Sequence, residues 1–195
     1  MRKLELYIFP MVFLVGIALY FLGWPFGNEL IIISLFGLSC LYFYFGFAIF
    51  NKLSLRRIFK KESYQGISAW RIVGAICTGI SISIVLLGVL FKIFRWPFAN
   101  QLLIIGVSFL NVIFLAGLYK ILKEKRPFYQ RLMVRVVFYG ISGYIFWFIP
   151  TYTFLELKYK NHPDYIEAVK RLDKDPENPE LIKEELRAFD KMIRE

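Results

Sequence analysis

Residues 88–122 read GVLFKIFRWPFANQLLIIGVSFLNVIFLAGLYKIL, and residues 16–50 read GIALYFLGWPFGNELIIISLFGLSCLYFYFGFAIF. In each segment a short turn containing Trp-Pro-Phe separates two apolar runs. The segments align at an offset of 72 residues, with these matches in the turn: Trp24 with Trp96, Pro25 with Pro97, and Asn28 with Asn100. A repeat of this kind predicts that the chain contains one helical hairpin twice.

The composition indicates a membrane protein. Hydrophobic residues make up 57% of the chain, and the mean hydropathy of +0.52 is high for a soluble domain. Five stretches lack charged residues: 6–23, 30–50, 72–91, 102–119 and 136–155. Each approaches the roughly 20 helical residues that cross a bilayer. The predicted fold class is therefore all-α, a polytopic transmembrane bundle of five spans: two repeated hairpins, one further helix and a small C-terminal helical hairpin.

The same pattern predicts the division of the chain. We expect a first transmembrane hairpin at 1–56, a cytoplasmic basic loop at 57–69, a second hairpin at 70–126, a fifth transmembrane helix at 127–157 and a soluble helical tail at 158–195. The first apolar run follows Met1-Arg2-Lys3 but is too long for a signal peptide and lacks a cleavage site. We therefore interpret it as an uncleaved span.

The distribution of Lys and Arg predicts the orientation in an inner membrane. Only Lys92 and Arg95 lie near the two Trp-Pro turns, whereas the N-terminus and the other two connections are rich in basic residues, including Lys52, Arg56, Arg57, Lys60, Lys61, Arg71, Lys120, Lys123, Lys125, Arg126, Arg131 and Arg135. The positive-inside rule then places the N-terminus in the cytoplasm and both turns outside it. Five spans place the C-terminus in the periplasm.

Charge and rare residues exclude several function classes. Residues 1–155 carry 16 basic and 4 acidic side chains, whereas residues 156–195 carry 9 and 11, so the net charge of +10 belongs to the membrane part. Its basic loops are too short to form a nucleic-acid-binding face. Cys40, Cys77 and the single histidine, His162, form no metal-binding or redox motif. We predict no catalytic residue, metal or cofactor.

Polar residues near the turns are the candidate site. Trp24 and Trp96 should lie at the membrane boundary, and we expect Asn28 and Asn100 to cap the outgoing helices. Lys92 and Arg95 share a helix face and should snorkel to the headgroups, the functional alternative being contact with an anion or a partner. Asn111 should make one interhelical hydrogen bond, since a pore would need more polar residues.

Small residues and the tail predict further contacts. Ala75, Gly79 and Ser83 recur every four residues and should allow close helix approach, as should Gly140 and Gly143. In the tail, Asn178 should cap a second helix whose apolar stripe consists of Ile182, Leu186, Phe189 and Ile193. We expect this stripe to be buried against Ile166 and Val169, and the helix pair to serve as a docking unit for a partner.

The string LLGVLFKIFRWPFANQLLIIGVSFLNVIFLAGLY (residues 86–119) resembles the N-terminal membrane hairpin of GldL-like proteins, motor subunits of gliding motility and type IX secretion in Bacteroidota. Matches to the K-I-x-H-W-P-G-A-N turn are Lys92, Ile93, Trp96, Pro97, Ala99 and Asn100, with Arg95 for His and Phe98 for Gly. Residues 14–50 resemble a divergent second copy. The resemblance implies a membrane hairpin of a motor complex.

One departure from that family bears on function. Its second helix carries an intramembrane Glu implicated in proton coupling, where this chain has Leu110-Asn111 and, in the first copy, Leu38-Ser39. We expect no carboxylate inside any span and no proton-driven motor role.

The predicted function is a non-enzymatic assembly or interaction component of a membrane complex, surrounded by lipid and contacting other membrane proteins or copies of itself. The alternative is a small membrane transporter or channel, and a membrane enzyme ranks last because catalytic side chains are lacking.

Overall fold

The computed structural model describes residues 3–53, 60, 67–124 and 126–194. The predicted orienting residues Arg2, Arg56, Arg57, Lys61 and Lys125 lie outside the described residues. The described residues form eight α-helices and no strand: α1 (Phe9–Phe21), α2 (Gly27–Phe50), α3 (Ala69–Ile93), α4 (Ala99–Glu124), α5 (Pro127–Phe148), α6 (Thr153–Lys158), α7 (Pro163–Lys174) and α8 (Pro179–Arg194). A π-helical turn, Leu4–Ile8, precedes α1.

Five helices are long and apolar enough to cross a membrane: Leu4–Phe21, Gly27–Phe50, Ala69–Ile93, Ala99–Glu124 and Pro127–Phe148. This confirms the all-helical transmembrane class. The fifth helix begins before the uncharged stretch at 136–155 and ends before Pro150, because proline cannot continue a helix. Its first half therefore carries Arg131 and Arg135, which the sequence interpretation had placed in the preceding loop.

The two Trp-Pro turns have the same backbone geometry. The incoming helices end at Phe21 and Ile93, and the outgoing helices begin at Gly27 and Ala99. In the first turn the Trp24 N–H donates to Leu19 and the Gly23 N–H to Tyr20; in the second, Trp96 donates to Phe91 and Arg95 to Lys92. These are the paired hydrogen bonds of a Schellman motif. Every bond recurs at the 72-residue offset, so the repeat in sequence is also a repeat in structure.

The prediction that Asn28 and Asn100 cap the outgoing helices is wrong. Phe26 and Phe98 precede these helices, each in the left-handed region with φ of 68° and 65°. The helices therefore begin two residues earlier than expected, so both asparagines lie inside the first helical turn. Their side chains are thereby free for other contacts.

Helix α3 is the centre of the bundle and packs against α2, α4 and α5. The predicted seam of small residues on α3 is confirmed: Gly79 lies against the backbone of α2 at Tyr42 and Gly46. Next to it, the hydroxyls of Ser39 and Ser83 are 2.7 Å apart and buried. Without side chains between them, the two hairpins approach backbone to backbone.

The glycines of α5 have different surroundings. Gly143 packs closely against Val85 and Val107, as predicted, whereas Gly140 has open space around its Cα.

After α5 the chain returns to the end of the bundle that carries the Trp-Pro turns. Thr153–Lys158 forms the short α6, and the Lys158 ammonium lies 4.2 Å from the centre of the Tyr20 ring, beside the first turn. Helices α7 and α8 then pack against each other. Asn178 caps α8 as predicted, since its Oδ1 accepts the Glu180 N–H at 3.0 Å.

Candidate functional site

A buried ion pair joins the first and fifth transmembrane helices at the end opposite the turns. Arg135 donates through Nη2 to Glu5 Oε2 at 2.9 Å and through Nε to Glu5 Oε1. The Tyr42 hydroxyl donates to the same Oε1 at 2.6 Å. The Tyr139 ring packs edge-on to Tyr42, with centroids 5.3 Å apart. Three segments far apart in sequence therefore converge on one carboxylate.

Glu5 corrects the expectation that no carboxylate lies inside a span. Its residue is 2% exposed and belongs to the span Leu4–Phe21. An isolated carboxylate there would be costly, but a bidentate Arg contact and a Tyr hydroxyl satisfy both oxygens. Glu5 lies in the π-helical turn before Pro10, which has no N–H to donate to the preceding turn. Such π-helical turns occur often at functional sites.

A cavity of about 910 Å³ opens beside this ion pair. Arg131 and Lys52 line it together with Arg135 and Glu5, and the rest of its lining is mostly apolar. The side chains of Lys52 and Arg131 form no ion pair with any described carboxylate. The cavity is therefore positively charged at its polar edge.

The other two predicted cations lie at the Trp-Pro end. The prediction that Lys92 snorkels to the headgroups is wrong. Lys92 is 2% exposed and donates through Nζ to Asn100 Oδ1 at 2.6 Å. The turn brings these residues of α3 and α4 together, so the ammonium is held within the hairpin. This contact explains why Asn100 does not act as a helix cap.

Arg95 connects the second hairpin to the tail. Its Nη1 lies 2.8 Å from Glu185 Oε1 on α8, with side-chain exposures of 18% and 20%. Arg95 also has a φ of 55°, in the position that Gly23 occupies with φ of 69° in the first turn. A non-glycine residue there costs about 1–2 kcal/mol. Arg95 is thus paired with a carboxylate of its own chain, and the alternative, contact with an anion or a partner, stays a prediction.

The tail stripe is not buried as predicted. Ile166 and Val169 on α7 are buried, but on α8 Leu186 is 57% exposed and Ile193 64% exposed, and Ile182 is also exposed. Of the stripe, Phe189 is partly buried and lies 5.5 Å from the Tyr165 ring. Half-buried positions on α8 are instead Leu181, Glu185, Ala188 and Met192. Compared with the prediction, α8 is therefore rotated about its axis. Ion pairs from Arg95 to Glu185 and from Arg171 to Glu184 favour this rotation.

Tyr165 on α7 stays neutral at physiological pH. Burial, together with the neighbouring Glu185 carboxylate, raises the pKa of Tyr165 to about 12. The Tyr165 hydroxyl is therefore protonated, and its ring packs between Tyr159 and Phe189. Helix pairing in the tail is mainly apolar, with ion pairs at its edges.

Asn111 makes the single interhelical bond that was predicted. Its Nδ2 donates to the Tyr144 hydroxyl on α5 at 2.6 Å. Both residues are exposed on the outside of the described bundle, so they do not line an internal path. Among the described residues, no group of three or more His, Cys, Asp or Glu side chains could hold a metal ion.

The geometry of the second hairpin agrees with the comparison to known families. Residues 77–131 match the GldL N-terminal domain. The match takes in most of α3, the second Trp-Pro turn, all of α4 and the start of α5. It leaves out the first hairpin, whose relation to GldL rests on the repeat alone. No curated protein and no solved structure gives a significant match.

The GldL-like segment and the apolar helices together describe a multi-pass inner-membrane protein. The sequence interpretation found the turn residues of this segment but missed the buried pair of Glu5 and Arg135. A usable signal was present, because each charge directly adjoins an apolar stretch and the two have opposite sign. Their pairing depends on how the first and fifth helices pack, which the repeat does not specify.

Proposed function

We propose that this chain is a non-enzymatic interaction component of an inner-membrane complex, and that the exposed stripe of α8 contacts another membrane protein of that complex. The GldL-like segment supports membership in such a complex, since the resemblance implies a motor or secretion assembly. The main support for the proposal is the exposure of Leu186 and Ile193 on α8, whose other face packs against α7.

The position of the stripe supports a protein partner. The contact between Arg95 and Glu185 fixes α8 at the Trp-Pro end of the bundle, which we assign to the periplasmic side from the positive-inside rule. An amphipathic helix held there presents anchors at i, i+4 and i+11, the pattern by which helices bind a groove of a partner. Burying one Leu contributes about 1.5–3 kcal/mol, enough to change affinity tenfold or more.

Purification from the native host in mild detergent tests this proposal. Leu186→Asp should abolish co-purification of a stoichiometric membrane protein, while the thermal unfolding midpoint stays the same. Lys183→Gln, which changes the charge of the same helix by one unit in the same direction, should leave the complex intact. An unchanged complex in Leu186→Asp would remove the proposed interface.

We further propose that the chain does not conduct protons or small solutes, as the alternative function of a transporter or channel would require. Asn111 lies on the outside of the bundle, and Glu5, the one deeply buried carboxylate among the described residues, is held by a bidentate arginine. Residues 99–119 contain no Asp or Glu. Proteoliposomes should show proton flux equal to that of empty vesicles across a membrane potential. Flux above that level, lost in Glu5→Gln or Asn111→Leu, would favour transport.

A further inference from the structure

The cavity beside Glu5 and Arg135 carries an excess of positive charge. Among the described residues that line it, Lys52, Arg131 and Arg135 are cations and Glu5 is the only anion. Because Glu5 is paired with Arg135, the positive charges of Lys52 and Arg131 remain without a described counter-ion. A cavity with this balance attracts an anion.

The charge of Arg131 is not neutralised within the described residues. Its guanidinium lines the cavity and forms no ion pair with a described carboxylate. Its buried Nε also has no hydrogen-bond partner among the described residues, as is true of Arg71 Nε outside the cavity lining. The charge of Arg131 is therefore available to an anion in the cavity.

The three cationic lining residues lie toward one end of the bundle. At 1.5 Å per helical residue, Arg131 lies about 6 Å and Arg135 about 12 Å from the start of α5, whereas Phe138 lies about 16 Å from it. Lys52 follows the end of α2 at the same end of the bundle. The cations are thus nearest the headgroup region, with apolar Val134 between two of them, and Phe138 lies deeper in the hydrocarbon region.

Lys52 is held in an unusual backbone conformation at the rim. Its φ is 57°, and it occupies the helix-terminal position where glycine is preferred. Hydrogen bonds from the Lys52 and Leu53 N–H groups to Ile49 and Ala48 close the turn. A side chain in this conformation costs about 1–2 kcal/mol, as it does at Arg95.

We propose that this cavity binds one anionic phospholipid, with its phosphate between Lys52 and Arg131 and an acyl chain against Leu6 and Phe138. Basic cavities between transmembrane helices at the cytoplasmic side are suited to such headgroups. The volume of about 910 Å³ accommodates a headgroup and the upper part of its chains. This inference does not depend on the protein partner proposed above.

Native mass spectrometry of the detergent-purified full chain tests the site. We expect one retained lipid after exposure to mixed phosphatidylglycerol and phosphatidylcholine, with at least a tenfold preference for phosphatidylglycerol. Arg131→Gln should lower that preference about tenfold. Lys123→Gln removes a charge at the same end of the bundle but outside the cavity, and should leave the preference unchanged.

Three results would overturn the proposal. One is equal loss of preference in Arg131→Gln and Lys123→Gln, which would indicate general surface electrostatics. Another is displacement of the lipid by millimolar inorganic phosphate, which would indicate a site for the free anion. The third is an unchanged preference in Arg131→Gln when circular dichroism shows that this variant is folded.

Discussion

The two hairpins have the same backbone geometry at their turns, but they contact the rest of the protein at opposite ends. The first hairpin is tied through Glu5 to Arg135 on α5, at the end away from its turn. The second is tied through Arg95, within its turn, to Glu185 on α8. The turn hydrogen bonds are the same in both hairpins, whereas the ionic contacts differ. The Schellman geometry is therefore common to both hairpins, and single charged residues set what each hairpin contacts.

Burial should make these two attachments very unequal. The two arginines are equally exposed, at 18%, but the Glu5 side chain is 1% exposed, whereas Glu185 is 20% exposed. Removing one partner of a buried pair leaves an uncompensated charge and costs about 3–5 kcal/mol, whereas partly exposed pairs contribute about 0.2–1 kcal/mol.

The largest effect is expected for the attachment of the first hairpin. Arg135→Gln should lower the free energy of unfolding by about 3–5 kcal/mol, because the Glu5 carboxylate, 1% exposed, then remains buried without its cation. The double variant Glu5→Gln with Arg135→Gln should recover most of that loss. Glu29→Gln, at an exposed carboxylate of the same hairpin, is the control and should have little effect. Thermal unfolding in nanodiscs compares these variants, and the single variant Glu5→Gln, with the wild type, and a double variant whose loss equals the sum of the two single losses would contradict coupling.

The second largest effect on stability is expected for the contact between the two hairpins. A Cβ at Gly79 would lie 2.6 Å from the Tyr42 carbonyl oxygen and 3.1 Å from the Gly46 Cα, so Gly79→Ala must separate α2 from α3. We expect a loss of about 1–3 kcal/mol, the usual cost of overpacking. Gly74→Ala on the same helix meets no atom within 4 Å and should be neutral or stabilising. Equal unfolding midpoints for the two variants would show that the hairpins are not packed backbone to backbone.

A smaller effect is expected at the equivalent turn positions. Gly23→Ala should cost about 1–2 kcal/mol, since its φ is unfavourable for a side chain although space is available. Arg95→Gly should relieve the same strain while losing the ion pair, so the unfolding midpoint should rise slightly or stay constant. Hydrogen exchange of α8 should nevertheless become faster in Arg95→Gly. If exchange in α8 stays the same, Arg95 does not hold the tail.

The sequence was sufficient for the repeat and its helices because both depend on local signals. Apolar length identifies the spans, and the Trp-Pro turn fixes where each helix pair reverses. The sequence was insufficient to predict the contacts between helices. The rotation of α8 depends on ion pairs from Glu184 and Glu185 to Arg171 and Arg95, and Leu186 and Leu181 are equally apolar when read from the sequence alone. Lys92 was misread for the same reason, since its partner Asn100 belongs to the next helix.

The rotation of α8 is the feature on which the proposed function depends most directly. A photo-crosslinking amino acid at position 186 should form an adduct with a second membrane protein in native membranes. The same probe at position 192, on the half-buried face, should react only within the chain. Mass spectrometry of both products measures this difference. Protein adducts from position 192 with none from position 186 would contradict the exposed stripe and its role as an interface.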